Sequence, residues 1–133
     1  MAGYNGGLIE NCTSSGSVSS SSSSSSSSSA GGIAGYNVGP IGNCTSSGSV
    51  SSSSSSSCAG GIAGVNARTI ENCTSSGRDI SAINTTRGEA YRGGLIGRNY
   101  LGHTIRGNHN ETGISPAIGW DEREDPDGPS DNI

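Results

Sequence analysis

Small apolar residues recur along the chain in short groups that are separated by glycine, serine and asparagine. One group, Gly31-Gly32-Ile33-Ala34-Gly35-Tyr36-Asn37, recurs at residues 60–66 and 93–99, and a shortened form occupies residues 2–5. Side chains within a group alternate with a period of two. This alternation predicts a short strand with Ile33 on the inner side and with Ala34 and Tyr36 on the opposite side.

A second group, Ile-x-Asn-Cys-Thr-Ser-Ser-Gly, follows the first at residues 9–16, 41–48 and 70–77. The equivalent residues Asn5, Asn37, Asn66 and Asn99 are separated by 32, 29 and 33 positions. A period of roughly 30 residues is typical of solenoids, in which each repeat forms one coil. We therefore predict an all-β parallel β-solenoid of about four coils, at residues 2–30, 31–59, 60–92 and 93–119.

The composition favours this architecture over a compact globule. The 133 residues include 23 glycines, no phenylalanine and only 4% aromatic residues. A globule of this size needs more large apolar side chains to offset chain entropy, whereas a solenoid needs only a thin core along its axis. A disordered serine- and glycine-rich linker has a similar composition, but it lacks the periodic placement of isoleucine and glycine.

The charge pattern excludes several classes of partner. The net charge is −4, and basic residues form no stripe, so we expect neither nucleic acid nor an anionic membrane as partner. No apolar run approaches the roughly 20 residues that a membrane span requires. No signal peptide is visible, and the chain begins within a repeat, so we expect it to be a segment of a longer protein.

Asparagine and glycine are predicted to form the corners of each coil. Asn11, Asn43 and Asn72 precede the cysteine of each complete repeat, and asparagine tolerates left-handed backbone geometry. We expect these residues to form one ladder through the stack, and the four asparagines at the ends of the Gly-Gly groups to form a second. The Gly-Gly pairs suit tight corners and close approach between backbones.

Three of the four cysteines, Cys12, Cys44 and Cys73, occupy one repeat position and are predicted to be small apolar residues of the core. Disulfides between successive coils are conceivable but not required. Cys58 stands alone after a serine run. A zinc site is not expected, because no Cys-x-x-Cys pair exists and His103 and His109 lie in a different coil.

Two serine runs, Ser19–Ser29 and Ser51–Ser57, occupy the same slot of successive repeats as residues 78–92 of the third. We interpret this slot as a variable, mostly solvent-facing strand and loop, and as the most mobile part of each coil. Ile114, Ala117, Ile118 and Trp120 are expected to cover the open end of the solenoid. Residues 120–133 form a predicted acidic, proline-containing tail or linker.

Two groups of polar residues are candidates for catalytic or metal sites. Glu10 and Glu71 share a repeat position two coils apart, at a distance near 10 Å that could suit an inverting carboxylate pair. They are more simply surface acids. His103, His109 and Glu111 do not match a His-Glu-x-x-His spacing. We therefore predict no catalytic residue, no cofactor-binding or metal-binding residue and no enzyme activity.

Two surface features remain open. The Asn-x-Ser/Thr glycosylation pattern occurs at Asn11, Asn43, Asn72, Asn84 and Asn110, mostly because the repeat itself recurs. A second feature is an outward ladder of Ala34, Ala63 and Ile96 beside Tyr36, Val65 and Arg98. This ladder could form a shallow ligand-facing strip or lie under the serine loops, and we favour the second interpretation.

The two groups together resemble the GLUG repeat of bacterial surface proteins, over residues 2 to about 113. The resemblance implies a right-handed β-solenoid on an extracellular, cell-surface protein, where it serves as a rigid stalk or adhesive surface. Host or matrix glycans or proteins are the implied partners, beside neighbouring domains of a longer chain. The alternative is an accessory, non-catalytic region of a surface peptidase or polysaccharide-active enzyme. The long serine runs and a last coil without cysteine depart from the pattern.

Overall fold

The structure, a computed structural model, describes residues 2–23, 26–85, 88–100 and 105–121. These residues form short strands and contain no helix. The described residues therefore include no helix that is long and apolar enough to span a membrane. The strands are β1 (Ala2–Asn5), β2 (Ile9–Glu10), β3 (Thr13–Ser14), β4 (Val18–Ser21), β5 (Ser27–Gly31), β6 (Ala34–Asn37), β7 (Ile41–Gly42), β8 (Thr45–Ser46), β9 (Val50–Ser54), β10 (Ser56–Gly60), β11 (Ala63–Asn66), β12 (Ile70–Glu71), β13 (Thr74–Ser75), β14 (Ile80–Asn84), β15 (Ala90–Gly93), β16 (Ile96–Asn99), β17 (Ile105–Arg106), β18 (His109–Asn110) and β19 (Ile118–Asp121).

The strands stack into parallel sheets, because from β1 to β18 every fifth strand returns to the same side of the coil, and β19 joins the sheet of β16. Sheet A contains β1, β6, β11, β16 and β19; sheet B contains β2, β7, β12 and β17; sheet C contains β3, β8, β13 and β18; sheet D contains β4, β9 and β14; and sheet E contains β5, β10 and β15. The predicted parallel β-solenoid is thereby confirmed. It has about three coils, close to the four predicted.

The core is a thin apolar column along the stack, as the composition predicts. Ile33, Ile41, Ile62 and Ile70 are at most 1% exposed and lie in one cluster with the cysteine ladder. A smaller cluster between sheets D and E contains Ala30, Val50, Ala59 and Ile80.

One predicted orientation is wrong. Ala34, Ala63 and Ile96 do not form an outward ladder; each is 0% exposed and lies in the same core cluster as Ile33. The backbone amides of Ile33 and Ala34 both donate to the carbonyl oxygen of Ile62, at 3.0 Å each. The chain therefore turns between the two residues, and strict alternation does not apply to them.

Both predicted asparagine ladders are confirmed. Asn11, Asn43 and Asn72 have φ angles of 55°, 52° and 52°, in the left-handed region. In the second ladder each side-chain amide donates to the next asparagine at 2.8 Å, from Asn5 to Asn37, Asn66 and Asn99. Asn99 then donates to Asp121 at 3.0 Å.

The interpretation of the serine runs is wrong for the second run. Ser52, Ser54 and Ser57 are 0% exposed, and the residues between them are only half-buried. The Ser28 and Ser52 hydroxyl oxygens lie 2.6 Å apart, and Ser52 also donates to the Ser28 carbonyl oxygen at 3.0 Å. Hydrogen bonds between coils satisfy these hydroxyls, so serine can fill the interior of the stack. The first run is mostly exposed where the structure describes it.

The coils differ in length mainly at the corner between sheets D and E. Ser21 pairs with Ser53, and Ser27 with Ser56, so the sequence has five residues between the paired positions in the first coil and two in the second. The hydrogen-bonded registers on either side of the corner are unchanged. The difference in length between the coils therefore does not change the pairing of the strands on either side.

The predicted cover over the open end is confirmed. Ala117 and Ile118 are buried in the core, and Ile114 packs on the smaller cluster. β19 adds a fifth strand to sheet A, and the amides of Leu95 and Ile96 donate to the Ala117 carbonyl oxygen at 2.8 and 3.1 Å. β19 also includes Trp120 and Asp121. The division into repeats and tail stays a prediction, because residues 122–133 lie outside the described part.

Candidate functional site

The most distinctive surface of the molecule is a row of side chains along sheet A, here called the aromatic strip. Its members share one register: Tyr4 pairs with Tyr36, Tyr36 with Val65, Val65 with Arg98, and Arg98 with Trp120. Neighbouring strands in a sheet are about 4.8 Å apart, so the strip is roughly 19 Å long. Tyr4 is 66% exposed, whereas Val65 is only 5% exposed.

The rings of the strip are held by contacts with one another. Tyr4 and Tyr36 stack with centroids 5.9 Å apart and planes 3° apart, as in-register residues of adjacent coils do. At the other end, Trp120 stacks on Tyr91 of sheet E at 5.5 Å. The Arg98 guanidinium lies 4.4 Å from the Trp120 ring centroid, 4.8 Å from that of Tyr100 and 5.7 Å from that of Tyr91. These contacts orient Arg98 by cation–π attraction.

Tyr36 interacts electrostatically with residues toward both ends of the strip, Tyr4 on one side and Arg98 on the other. Burial raises the pKa of Tyr36, the phenols of Tyr100 and Tyr4 raise it further, and the Arg98 guanidinium opposes the rise. The pKa of Tyr91 is raised first by a side-chain hydrogen bond with Glu89. The raised pKa values keep Tyr36 and Tyr91 neutral at pH 7, as hydrogen-bond donors and acceptors. Chemically, the strip offers apolar ring surface, phenol hydroxyls and one cation.

The sequence identified only part of this surface. It grouped Tyr36, Val65 and Arg98 correctly, but placed Ala34, Ala63 and Ile96 beside them. It did not identify Tyr4, Tyr91, Tyr100 or Trp120 as members or neighbours of the strip. The repeat contained a signal for Tyr4, since Ala2-Gly3-Tyr4-Asn5 aligns with Ala34-Gly35-Tyr36-Asn37.

Glu10 and Glu71, which share a repeat position, do not form a carboxylate pair, because Gly42 lies between them in the stack. The register runs from Glu10 through Gly42 and Glu71 to Arg106, as predicted for the first three. Glu71 accepts from the Arg106 Nε at 2.8 Å, and Arg106 is 72% exposed. Glu71 is thus part of a surface ion pair between adjacent coils, and Glu10 is an exposed acid.

The histidine group is only partly described. His109 and Glu111 are exposed at and after β18, and His103 lies outside the described residues. Within the described ranges, no three His, Cys, Asp or Glu side chains are grouped so that they could hold a metal ion.

All four cysteines are free thiols, and three form the predicted ladder. Cys44 and Cys73 are buried in the core, and Cys12 is half-buried at the first coil. The Cys44 and Cys73 thiols donate to the carbonyl oxygens of Gly42 and Glu71, at 3.1 and 3.2 Å. Burial raises the pKa of Cys73 and of Cys58 to about 11, so both stay protonated and unreactive near neutral pH.

The glycosylation patterns fall into two structural classes. Asn11, Asn43 and Asn72 are exposed corner residues. Asn84 and Asn110 are half-buried, and the Asn110 side chain donates to the Ile114 carbonyl oxygen at 2.8 Å. The exposed class is a consequence of the repeat, because the corner asparagine must point away from the core.

One comparison with known families bears on this chain. Residues 55–81 match a family model described as Glug, the GLUG motif. The matched segment begins at the corner before β10 and ends in β14, so it corresponds to about one coil and is consistent with a GLUG-type repeat region. No curated protein and no solved structure matches the chain.

Proposed function

We propose that this chain is a structural repeat module of a secreted bacterial cell-surface protein, in which it acts as a rigid stalk and presents a binding surface. The main support for the proposal is the continuity of the buried asparagine ladder. The buried asparagine ladder runs through every coil and ends on β19, so it links successive coils without a break. Such stacking resists bending better than a chain of separate small domains joined by linkers.

Rigidity is tested by pulling the chain between two well-characterised handle domains. The expected result is cooperative unfolding with a clear force peak, because parallel coils share hydrogen bonds and core contacts. Asn66→Ala should lower the peak, since it leaves the buried Asn37 amide and Asn99 oxygen unpaired, at about 1–3 kcal/mol each. Gradual extension with no peak in the unmodified chain would contradict the stalk role.

Surface location is tested in cells that make the protein. An antibody against the purified chain should label intact cells, and external protease should remove the label. Labelling that requires permeabilised cells would contradict this part of the proposal.

The aromatic strip supports a binding role, and glycans or proteins of a host or matrix are the proposed partners. Aromatic rings with hydroxyls at their edge can contact the apolar faces and the polar groups of such partners together. In a glycan and matrix-protein binding screen, Tyr4→Ala with Tyr36→Ala should reduce binding about tenfold or more. The matched control is Ile83→Ala, which removes a 55% exposed apolar residue of sheet D. Loss of binding in the control alone would contradict the assignment.

A further inference from the structure

Arg98 is the charged member of the aromatic strip, and aromatic rings fix its position. Its guanidinium carbon lies 4.4 Å from the ring centroid of Trp120, 4.8 Å from that of Tyr100 and 5.7 Å from that of Tyr91. Arg98 itself is half-buried. The guanidinium is therefore held in place before any ligand arrives, which lowers the entropic cost of binding to it.

The contacts between Arg98 and the rings favour a particular kind of ligand group. An aromatic ring attracts a guanidinium through the flat face of the ring, and this attraction does not consume an N–H donor. The N–H donors of arginine form a planar fork, which matches the two oxygens of a carboxylate. Such paired, charge-assisted hydrogen bonds are stronger than those between neutral groups. A carboxylate is thus the ligand group that suits Arg98 best.

Two phenols add neutral hydrogen-bonding groups near this cation. Tyr36 and Arg98 occupy one register two strands apart, at roughly 10 Å along the stack. Burial is the main cause of the raised pKa of Tyr36, but Tyr100 and Arg98 also act on it, so both lie within its electrostatic reach. The phenols of Tyr36 and Tyr100 can therefore bond to hydroxyls of a ligand whose carboxylate lies at Arg98.

A carboxylate of the protein limits the charge density that a ligand can carry. Glu89 bonds to the Tyr91 side chain, and this bond is the main cause of the raised pKa of Tyr91. Burial raises the pKa of Cys58; Arg98 opposes this rise and Glu89 adds to it, so both charges lie near one thiol. Closely spaced negative charges on a ligand would be repelled by Glu89. Single, separated carboxylates fit this surface better than a dense polyanion.

We propose that the aromatic strip recognises acidic glycans, in which a sugar carboxylate pairs with Arg98 and the sugar rings contact the neighbouring aromatic side chains. Tyr91 and Trp120 are half-buried and stack on each other, so they offer a composite ring surface beside the cation. Polymers of uronic acid and glycans that end in sialic acid share this chemistry, with one carboxylate on each acidic sugar. The inference rests on the proposed binding role of the strip and specifies its ligand class.

The test uses Trp120, the single tryptophan of the chain, as a reporter within the strip. Its fluorescence is titrated with a short oligogalacturonate and with the same oligomer in methyl-ester form, which keeps the sugar rings but lacks the charge. The acid should bind about tenfold or more tightly than the ester, because only the acid forms charge-assisted bonds. Sialyllactose and lactose give the same comparison for sialic acid. A preference for the acid in either pair supports the inference and identifies the source of the carboxylate.

Substitutions at Arg98 test whether the preference depends on this side chain. Arg98→Gln should reduce the affinity for the acid by about tenfold and leave that for the ester unchanged. Arg98→Lys should retain part of the preference, because lysine keeps the charge but not the planar fork. The matched control is Arg78→Gln, which makes the same change in net charge at an exposed residue between β13 and β14. Equal losses in the two glutamine variants would overturn the assignment to Arg98.

A measurement on the unmodified protein does not depend on the folding of any variant. Added salt should weaken binding of the acid and not of the ester, because it screens the charge pair at a half-buried arginine. Equal affinities for acid and ester, with a fluorescence change for both, would overturn the acidic preference and leave the binding role of the strip in place. No fluorescence change with any of these glycans would overturn the inference together with the glycan part of the proposed function.

Discussion

Single residues in this molecule are constrained chiefly by how closely successive strands approach. The second glycine of two Gly-Gly pairs lies against a serine of sheet C: a Cβ on Gly32 would lie 1.9 Å from the Ser46 Oγ, and one on Gly61 1.7 Å from the Ser75 Oγ. Neither serine is exposed by more than 1%. The Gly-Gly pairs and the Thr-Ser pairs of the repeat are therefore one packing unit, although they are well separated in sequence.

Gly61→Ala should consequently destabilise the protein by about 3 kcal/mol or more, because backbone at Gly94 and side chain at Ser75 would both have to move. Urea unfolding followed by circular dichroism measures this change. Gly3→Ala is the matched control in the same repeat context, since a Cβ there meets nothing within 4 Å. It should be neutral or stabilising by up to about 1 kcal/mol. A similar loss for both variants would show that the contact is not the cause.

The buried thiols predict an alkaline limit to stability. Cys58 and Cys73 have a pKa of about 11 in the folded chain, against an ordinary value of 9.0. Between pH 9 and 11 the unfolded chain releases protons that the folded chain retains, so the free energy of unfolding falls as pH rises. It is unaffected by these groups below pH 9. The loss should reach roughly 2–3 kcal/mol per thiol, since one pKa unit corresponds to about 1.4 kcal/mol.

Urea titrations at pH 8, 9, 10 and 11 measure this dependence. The double variant Cys58→Ala with Cys73→Ala should have a flatter pH profile than the unmodified chain, whatever its stability at pH 8. An unchanged slope would contradict the assignment to these thiols.

The sequence predicted the role of a residue correctly where that residue recurs at the same position of each coil. The asparagines recur with the coil, so their ladders and left-handed corners followed from spacing and from the properties of asparagine. Ala34 was misplaced because alternation presumes an unbroken strand. The shared acceptor at Ile62 places a turn between Ile33 and Ala34, and nothing in the composition of that segment indicates where the turn falls.

Among the strands, those made of serine differ most from expectation. β9 and β10 bury Ser52, Ser54 and Ser57, and their hydroxyls bond to other coils or to their own corner. All positions of the run are serine, so the sequence contains no alternation of apolar and polar residues. The pattern therefore cannot show which serines face the core and which face solvent. The inward positions become evident only from the register, in which Ser52 pairs with Ala82 and Ser53 with the exposed Ile83.

A pair of aspartate substitutions distinguishes the two faces of β9. Ser52→Asp would bury a carboxylate beside the Ser28 carbonyl oxygen, so we expect a loss of more than about 3 kcal/mol. Ser53→Asp places the charge on the half-buried outer face, where the cost should be within about 1 kcal/mol. Urea unfolding midpoints of the two variants provide the comparison. Equal midpoints would mean that β9 has no fixed inner face.

For the molecule as a whole, the two ends of the stack are unequal. β19 covers sheet A, and its approach segment accepts from Gly94, Leu95 and Ile96 through backbone bonds of 2.8–3.1 Å. The sequence predicted this cover from the apolar residues near the end of the repeats. It could not predict the aromatic strip that results, because Trp120 reaches the register of Tyr36 through a segment that does not repeat.

Truncation after Glu111 should therefore destabilise the chain by roughly 3–6 kcal/mol, from lost burial of Ile118 and loss of these backbone bonds. It should also expose Leu95 and Ile96, which increases the binding of a fluorescent apolar dye. Truncation after Asp121 is the control and should leave the urea midpoint unchanged. Equal midpoints for the two truncations would mean that β19 does not stabilise the stack.

The corner of variable length between sheets D and E bears on the length of the β-solenoid along its axis. Five residues separate the paired strand positions there in the first coil and two in the second, yet the neighbouring strands keep the same pairing. The rise per coil is set by the spacing of hydrogen-bonded strands, about 4.8 Å, and not by the number of residues in the coil. A gene could gain or lose serine codons here, and the height of the column would stay the same. Its length is counted in coils, and individual coils can differ in sequence length without changing that count.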